Sequence, residues 1–240
     1  MAEYNRTLGF VFSKINTREA DQLFNIYTKD FGKVEVLGRA IRKIKSKLRA
    51  GAEIFWLSEI EFVQGRAYKT LTDAIKIEKF KNIKNNFKKL EVAYKIRNIA
   101  NSFIKGSQKD ERIFNLICEV FNLLDKSKAK DAEIFYYYFF WNIVSFLGYK
   151  INFYNCVFCH NSLIPKNLYF NPEQSGVVCL DCAGKGGKHS FISPEAIKIL
   201  RIILKKDFET LIKIKLDKEY KDCLKKISQD YFCHLKSLYC

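Results

Sequence analysis

The sequence predicts an α+β chain in which a small five-stranded barrel comes first and a helical region with an embedded cysteine ribbon follows. Three observations predict this order. Apolar residues recur with a period of two up to about residue 80, and with a period near 3.6 from about residue 90. Two C-x2-C pairs then interrupt the helical pattern. The composition, with 48% apolar and 28% charged residues, is that of a globular protein and excludes disorder, collagen and a coiled-coil rod.

Residues 1–80 are predicted to form the barrel. About five strands fit into this length, and a closed barrel of the oligonucleotide-binding (OB) type avoids the two unpaired edges of an open sheet. We expect Trp56 to lie in the core with its alternating neighbours. The apolar positions that alternate along the predicted strands are Leu8, Phe10, Phe12, Ile54, Trp56, Ile60, Phe62, Leu71, Ile75 and Ile77.

Two helical stretches, residues 81–150 and 191–240, are predicted to form one helical domain into which a zinc ribbon at residues 151–190 is inserted. Ser193-Pro194-Glu195 is typical of the start of a helix. The uncharged stretch from Ile134 to Tyr149 has 16 residues, which is too short to span a bilayer. We therefore interpret it as a buried helix and expect no contact with a membrane.

The cysteine pattern is the most specific signal in the chain. Its two C-x2-C pairs are separated by 19 residues, a spacing typical of two knuckles that aim four thiolates at one ion. We predict one structural Zn²⁺ with a closed S4 shell, and His160 or His189 as alternative ligands. A redox pair would need a βαβ context that neither pair has. The predicted ligands are Cys156, Cys159, Cys179 and Cys182.

The chain is strongly basic, since 42 Lys and Arg residues against 26 Asp and Glu residues give a net charge of +16. Such a surplus favours a polyanionic partner. A basic run lies at the end of the third strand and in the loop after it, where OB-type barrels often bind oligonucleotides, although many charge runs only keep a protein soluble. Phe55 and Tyr68 flank this run and are candidates for stacking on bases. The basic residues of the run are Lys33, Arg39, Arg42, Lys43, Lys45, Lys47 and Arg49.

Catalytic motifs are absent from the sequence. The chain has three histidines, no P-loop, no H-E-x-x-H and no G-x-S-x-G. We therefore expect a binding protein rather than an enzyme. No apolar segment of signal-peptide length follows the first residues, so a cytoplasmic location with reduced cysteines is expected.

The order of these parts resembles the RecO family, the bacterial recombination mediators of the RecF repair pathway. The resemblance extends over nearly the whole chain, and His160 stands where the first knuckle of the family usually has glycine. The segments that carry it are Thr7–Phe12, Glu19–Asp21, Tyr27–Lys33, Gly38–Lys43, Lys45–Leu48 and Gly176–Cys182.

The resemblance implies a function and a set of partners. It implies binding of single- and double-stranded DNA, annealing of complementary strands, and loading of the RecA recombinase onto DNA coated by single-stranded-DNA-binding protein (SSB). It further implies RecR and the acidic C-terminal tail of SSB as partners, and an association with the nucleoid. Two alternatives stay open from the residues alone: an RNA-binding or ribosome-associated zinc-ribbon protein, and a nuclease that uses scattered carboxylates.

Overall fold

A closed five-stranded barrel begins the chain. The computed structural model describes residues 4–65, 68–214 and 217–238. The barrel strands are β1 (Tyr4–Thr17), β2 (Asp21–Thr28), β3 (Gly32–Gly38), β4 (Leu57–Gln64) and β5 (Lys69–Glu78). They pair in the order β1-β2-β3-β5-β4, and β4 pairs back with β1. Only the β3–β5 pair is parallel. The predicted barrel is therefore confirmed, with its edges closed.

Two apolar layers hold the barrel. The interior contains residues from all five strands and two from the loop after β3, Ile41 and Ala52. A second layer is aromatic and lies outside the barrel interior, where Phe10 and Phe12 are buried. The ring centroid of Phe10 lies 4.4 Å from that of Phe121 on a later helix. The interior residues are Val11, Phe24, Ile26, Val34, Val36, Ile41, Ala52, Ile60, Phe62, Leu71 and Ala74.

One part of the predicted strand pattern is wrong. Ile75 and Ile77, which the alternation from Leu71 places on the same face, are 51% and 50% exposed. The register between β4 and β5 shifts there, so that an extra residue stands in β5 and Ala74 takes the inward position. A bulge of this kind exchanges the two faces of a strand beyond it.

Three helices complete the first of two units, which ends at residue 135. They are α1 (Lys81–Lys84), α2 (Phe87–Phe103) and α3 (Glu111–Lys126). Asn86 caps α2 and Asp110 caps α3, since each side chain accepts a hydrogen bond from a first-turn backbone N–H. The apolar stripes that the 3.6-residue period predicts on α2 and α3 are buried.

The second unit, residues 136–240, is built around Trp141. It contains most of α4 (Glu133–Phe146), with α5 (Pro194–Lys205), α6 (Phe208–Leu211) and α7 (Lys218–Leu238). Trp141 is fully buried and donates a hydrogen bond of 3.0 Å to Ser228 Oγ. Ser193 caps α5 as predicted, because its hydroxyl accepts a bond from Ala196 N. Within the described residues, none of the helices is both long and apolar enough to cross a membrane.

A small sheet lies between α4 and α5 in the sequence. Its strands are β6 (Leu168–Asn171), β7 (Gly176–Val178) and β8 (Ser190–Ile192), in the order β7-β6-β8. β6 and β7 lie within residues 151–190, the stretch predicted to form the ribbon, and β8 extends past it to Ile192. The domain limits at residues 80, 150 and 190 stay a prediction.

Candidate nucleic-acid interface and metal centre

The segment after β3, which we call the basic loop (residues 39–51), is fixed to the barrel by apolar side chains. Ile41 is 1% exposed in the barrel interior, and Leu48 packs against the same core. Ile44 between them is 95% exposed. Since the apolar anchors point inward, the charged residues of the loop point into solvent. The exposed cations are Arg39, Arg42, Lys43, Lys45, Lys47 and Arg49.

The turn between β1 and β2 lies against the basic loop. Gln22 pairs with Gly38, so the start of β2 and the end of β3 are neighbours. Ala40 N donates to Asp21 Oδ1 at 2.7 Å, and Arg42 N donates to Ala20 O at 3.0 Å. The Arg42 guanidinium reaches the Glu19 carbonyl at 3.1 Å. Because its partner is a carbonyl, the positive charge of Arg42 is not neutralised.

These contacts bring further cations to the loop. A cavity of about 550 Å³ is lined by Arg18 together with Arg42 and Lys43, among others. A neighbouring one of about 210 Å³ is lined by Lys14 together with Arg42 and Arg49, among others. We call these five residues the basic cluster. Within the described parts of the chain, no carboxylate lies within 4 Å of a cation of the basic loop.

Sequence reasoning missed Lys14 and Arg18. Neither belongs to a dense run of basic residues, so composition does not single them out. The strand order could have identified them, because in a meander the β1–β2 turn lies at the same end of the barrel as the residues that follow β3. Lys14 forms an ion pair with Glu53, whereas Arg18 forms none with the residues that the structure describes.

Two predicted contact residues lie away from the basic cluster. Lys33 stands near the start of β3, about 17 Å along the strand from Gly38 at 3.3 Å per residue. It is half-buried, and burial lowers its pKa while Glu35 opposes that effect. Tyr68 is 48% exposed and precedes Lys69, which pairs with Val36, so it lies toward the Lys33 end of β3.

The aromatic residues before β4 differ from their predictions. Phe55 is 1% exposed and packs against Tyr94 and Phe121, with ring centroids 5.0 and 5.4 Å away. Stacking of Phe55 on a base is therefore wrong. Its backbone is left-handed, with φ of 64°, which turns the ring away from solvent. Trp56, expected in the core, is only half-buried.

The four predicted metal ligands come together in the second unit. Their Sγ atoms all lie within 4.8 Å of one another. The Sγ atoms of Cys159 and Cys179 are 3.8 Å apart. A tetrahedral ion with metal–sulfur bonds of about 2.3 Å requires sulfurs about 3.8 Å apart. The four cysteines can therefore bind a metal ion.

Close backbone approach brings the two knuckles together. Val157 N in the first knuckle donates to Val177 O in β7 at 3.0 Å. A Cβ on Gly176 would lie 2.4 Å from Val157 Cγ1, so only glycine fits there. His160 has φ of 60°, which explains why glycine suits this position of the knuckle.

The surroundings of the thiols favour charge at one of them. Burial opposes ionisation of Cys156, but the backbone N–H groups of Cys159, Cys179 and Phe158 outweigh it and lower its pKa to about 6. Burial, followed by the neighbouring sulfurs, raises the pKa of Cys182 to about 12. A divalent cation is the partner that would stabilise several thiolates here together.

The two histidines considered as ligands lie outside the thiol cluster. The two ring nitrogens of His189 are engaged elsewhere, at 3.0 Å from Lys185 O and 3.3 Å from Asn171 Nδ2. His160 is exposed, and its backbone rather than its imidazole shapes the first knuckle.

Comparison with known proteins settles the family. The family model for the N-terminal part of recombination protein O matches residues 1–80, and that for its C-terminal part matches residues 85–235. The chain belongs to the RecO family. The resemblance inferred from the short segments is thereby confirmed, and the OB-type barrel and four-cysteine cluster described above agree with it.

Relatives in the RecO family carry the name DNA repair protein RecO. The relative from Dehalococcoides mccartyi is 29% identical over 214 residues, which cover 89% of this chain and 83% of the relative. The relative from Acetivibrio thermocellus is 28% identical over 228 residues, covering 95% and 90%. The relative from Halalkalibacterium halodurans is 22% identical over 239 residues, covering 98% and 92%. These matches extend over both units and place the chain in DNA repair.

The anchoring of the basic loop can be tested with two isoleucines of the same segment. Ile41→Ala should lower the free energy of unfolding by about 2–4 kcal/mol, because it leaves a cavity in the barrel interior. Ile44→Ala should change it by less than about 0.5 kcal/mol, because that side chain is exposed. Urea denaturation followed by circular dichroism measures both. Equal effects of the two substitutions would contradict the anchoring of the loop through Ile41.

Proposed function

We propose that this chain is a DNA-binding recombination mediator that holds single- and double-stranded DNA on the basic cluster and the exposed cations of the basic loop. It anneals complementary strands and, together with RecR, helps to load RecA onto SSB-coated DNA. The acidic C-terminal tail of SSB is a further partner. We place these activities in the cytoplasm, at the nucleoid. Lys33 and Tyr68 are proposed as outlying contacts on the same barrel.

One observation carries the proposal: the exposed cations of the basic loop, none of which has a described carboxylate within 4 Å, are gathered on an OB-type barrel in a chain of a DNA repair family. Cationic side chains held close together repel each other unless an anion lies between them. Phosphodiester strands supply such anions at regular spacing, and their binding releases condensed counterions. Contacts to phosphate carry no sequence information, so we expect binding to be general for DNA sequence.

Annealing by this chain would need no energy source. A polycation that contacts two phosphate backbones lowers their mutual repulsion and allows complementary bases to meet. The cationic surface thus supports a passive, non-enzymatic role. The metal centre fits the same view, because four thiolates complete a tetrahedral shell and leave no position for a substrate.

We further propose that the metal is one structural Zn²⁺. The ribbon that carries the thiols is packed into the core of the second unit, since Phe153 and Phe170 lie edge-on to Trp141 at 5.4 and 5.7 Å. Tyr231 on α7 donates to Ser175 Oγ in the β6–β7 turn at 2.8 Å. An ion that holds the two knuckles together would therefore also stabilise the helices.

Removal of charge from the basic loop tests the DNA contact. The variant with Arg39→Ala, Arg42→Ala and Lys43→Ala should bind a fluorescent oligonucleotide on the order of a hundredfold more weakly at 100 mM salt, because three phosphate contacts are lost. Fluorescence anisotropy measures the affinity. The loss should be similar for unrelated sequences, since the contacts are to the backbone.

A matched control removes the same charge from α7 with Lys225→Ala, Lys226→Ala and Lys236→Ala. Equal losses in the two triple variants would show that only net charge matters and would contradict a site on the barrel. A matched RNA oligonucleotide bound more tightly than DNA would favour the RNA-binding alternative.

Annealing and loading test the mediator role itself. Addition of the chain to complementary SSB-coated strands should raise the annealing rate, and addition of RecR should allow RecA to assemble on SSB-coated single strands. Strand pairing is followed by a fluorescent label, and RecA assembly by its ATP hydrolysis. An unchanged rate in both assays, with DNA binding intact, would overturn the mediator role and leave only a DNA-binding protein.

The metal assignment can be tested with two substitutions in one knuckle. Cys156→Ser should reduce bound zinc well below one ion per chain and speed amide exchange in the second unit more than in the barrel. His160→Gly should retain zinc, because the histidine supplies only a left-handed backbone position. Elemental analysis and hydrogen-exchange mass spectrometry measure these effects. Full zinc content in the Cys156→Ser variant, or its loss in the His160→Gly variant, would contradict the S4 assignment.

A further inference from the structure

A second group of cations surrounds Trp56 in the first unit. Nζ of Lys84 lies 5.0 Å from the centroid of the indole ring, and Nζ of Lys79 lies 5.3 Å from it. Cation–π contacts at such distances position an ammonium group without neutralising it. The indole Nε1–H is buried and has no hydrogen-bond partner among the residues that the structure describes.

Two more lysines crowd Lys79. The charge of Lys76, followed by burial and the charge of Lys81, lowers the pKa of Lys79. Lys76 lies three residues before Lys79 near the end of β5, and Lys81 lies two residues after it at the start of α1, so the chain itself keeps these ammonium groups near one another. Lys76 and Lys81 are exposed, and no described carboxylate lies within 4 Å of any of the three. An anion bound among these lysines would relieve their repulsion.

Glu53 connects this group to the basic cluster. Its carboxylate pairs with Lys14, a member of that cluster, and lies 3.9 Å from Nζ of Lys84. Lys14 and Glu53 also line the same cavity as two arginines of the cluster. Cations thus extend from the basic loop to Trp56, and the Glu53 carboxylate lies between Lys14 and Lys84 on the way.

We propose that a DNA single strand held by the basic cluster continues past Glu53 and over Trp56, where a lysine track binds its phosphates. This rests on the proposed DNA binding and specifies the path of the strand. A chain of phosphates matches a row of separate ammonium groups better than a compact anion does. A single strand fits the curved outside of a closed barrel, whereas duplex DNA is stiff over about 150 base pairs. The lysine track consists of Lys76, Lys79, Lys81 and Lys84.

Glu53 has a defined role on this path. Its carboxylate occupies the ammonium groups of Lys14 and Lys84, so an incoming phosphate must displace it from at least one of them. Glu53 therefore weakens binding of any strand that follows the track, and its removal should strengthen binding. A substitution that only damaged the fold would have the opposite effect.

Oligonucleotide length separates the track from the basic cluster. We compare oligothymidylates of about 6 and about 16 nucleotides, lengths within the range that one OB-type barrel covers. In the variant with Lys76→Gln, Lys79→Gln and Lys81→Gln, affinity for the longer strand should fall on the order of a hundredfold at 100 mM salt, from three lost contacts. Affinity for the shorter strand should not change. An unchanged affinity for the longer strand would overturn the track and leave the proposed function standing, whereas a wild-type chain that binds neither length would overturn both.

Glu53→Gln tests the same path through a gain of affinity rather than a loss. It should raise the affinity for the longer strand by about fivefold, the effect of one additional contact to a single strand. Glu111→Gln is the matched control, because it removes the same charge from an ion pair with Lys29 elsewhere in the unit. Equal gains in the two variants, or no gain in either, would overturn the role of Glu53 on the path.

Trp56 reports on the path directly. The chain has two tryptophans, and the other, Trp141, is fully buried in the second unit. The longer strand should change the tryptophan emission of the wild type, and this change should be absent in the Trp56→Phe variant. The same emission change in both proteins would contradict contact near Trp56. Binding of phosphatidylglycerol vesicles that the triple Gln variant loses, with long-strand binding intact, would assign the track to a membrane surface and overturn the proposal.

Discussion

Repulsion between like charges is the constraint on which the first unit depends, because its cations are concentrated on one part of the barrel. The burial of Ile41 offsets this repulsion. Full burial of an isoleucine stabilises by about 1.5–3 kcal/mol, whereas one pair of exposed charges interacts by less than about 1 kcal/mol. The apolar anchor is therefore comparable with the repulsion of a few such pairs, and the hydrogen bonds from Ala40 and Arg42 to the β1–β2 turn fix the direction of the loop. A surface held in this way is preformed for an anion that binds it.

The candidate metal centre depends on a close approach of two backbone segments. Four sulfurs lie near one another because Gly176 lets β7 approach the first knuckle, and backbone N–H groups favour charge on Cys156. The ribbon then packs its aromatic residues against Trp141, at the centre of the second unit. A closed thiolate shell suits a stabilising role, whereas the exposed cations of the first unit suit contact with a ligand.

Much of the fold and of the site followed from local patterns. The two hydrophobic periods located the barrel and the helices, and the cysteine spacing located the four clustered thiols. Features that depend on strand register did not follow. One extra residue in β5 exposed Ile75 and Ile77, and a left-handed backbone turned Phe55 inward. Arg18 joins the basic cluster only through the pairing of β2 with β3, which no count of residues reveals.

The salt dependence of DNA binding tests most directly whether barrel cations hold phosphates. If about six phosphates are contacted, the affinity of the intact chain for an oligonucleotide should fall on the order of a thousandfold between 50 and 200 mM salt, because each contact releases a counterion. A fall of less than about tenfold over that range, or no binding at the lower salt concentration, would contradict a phosphate-binding role for the barrel.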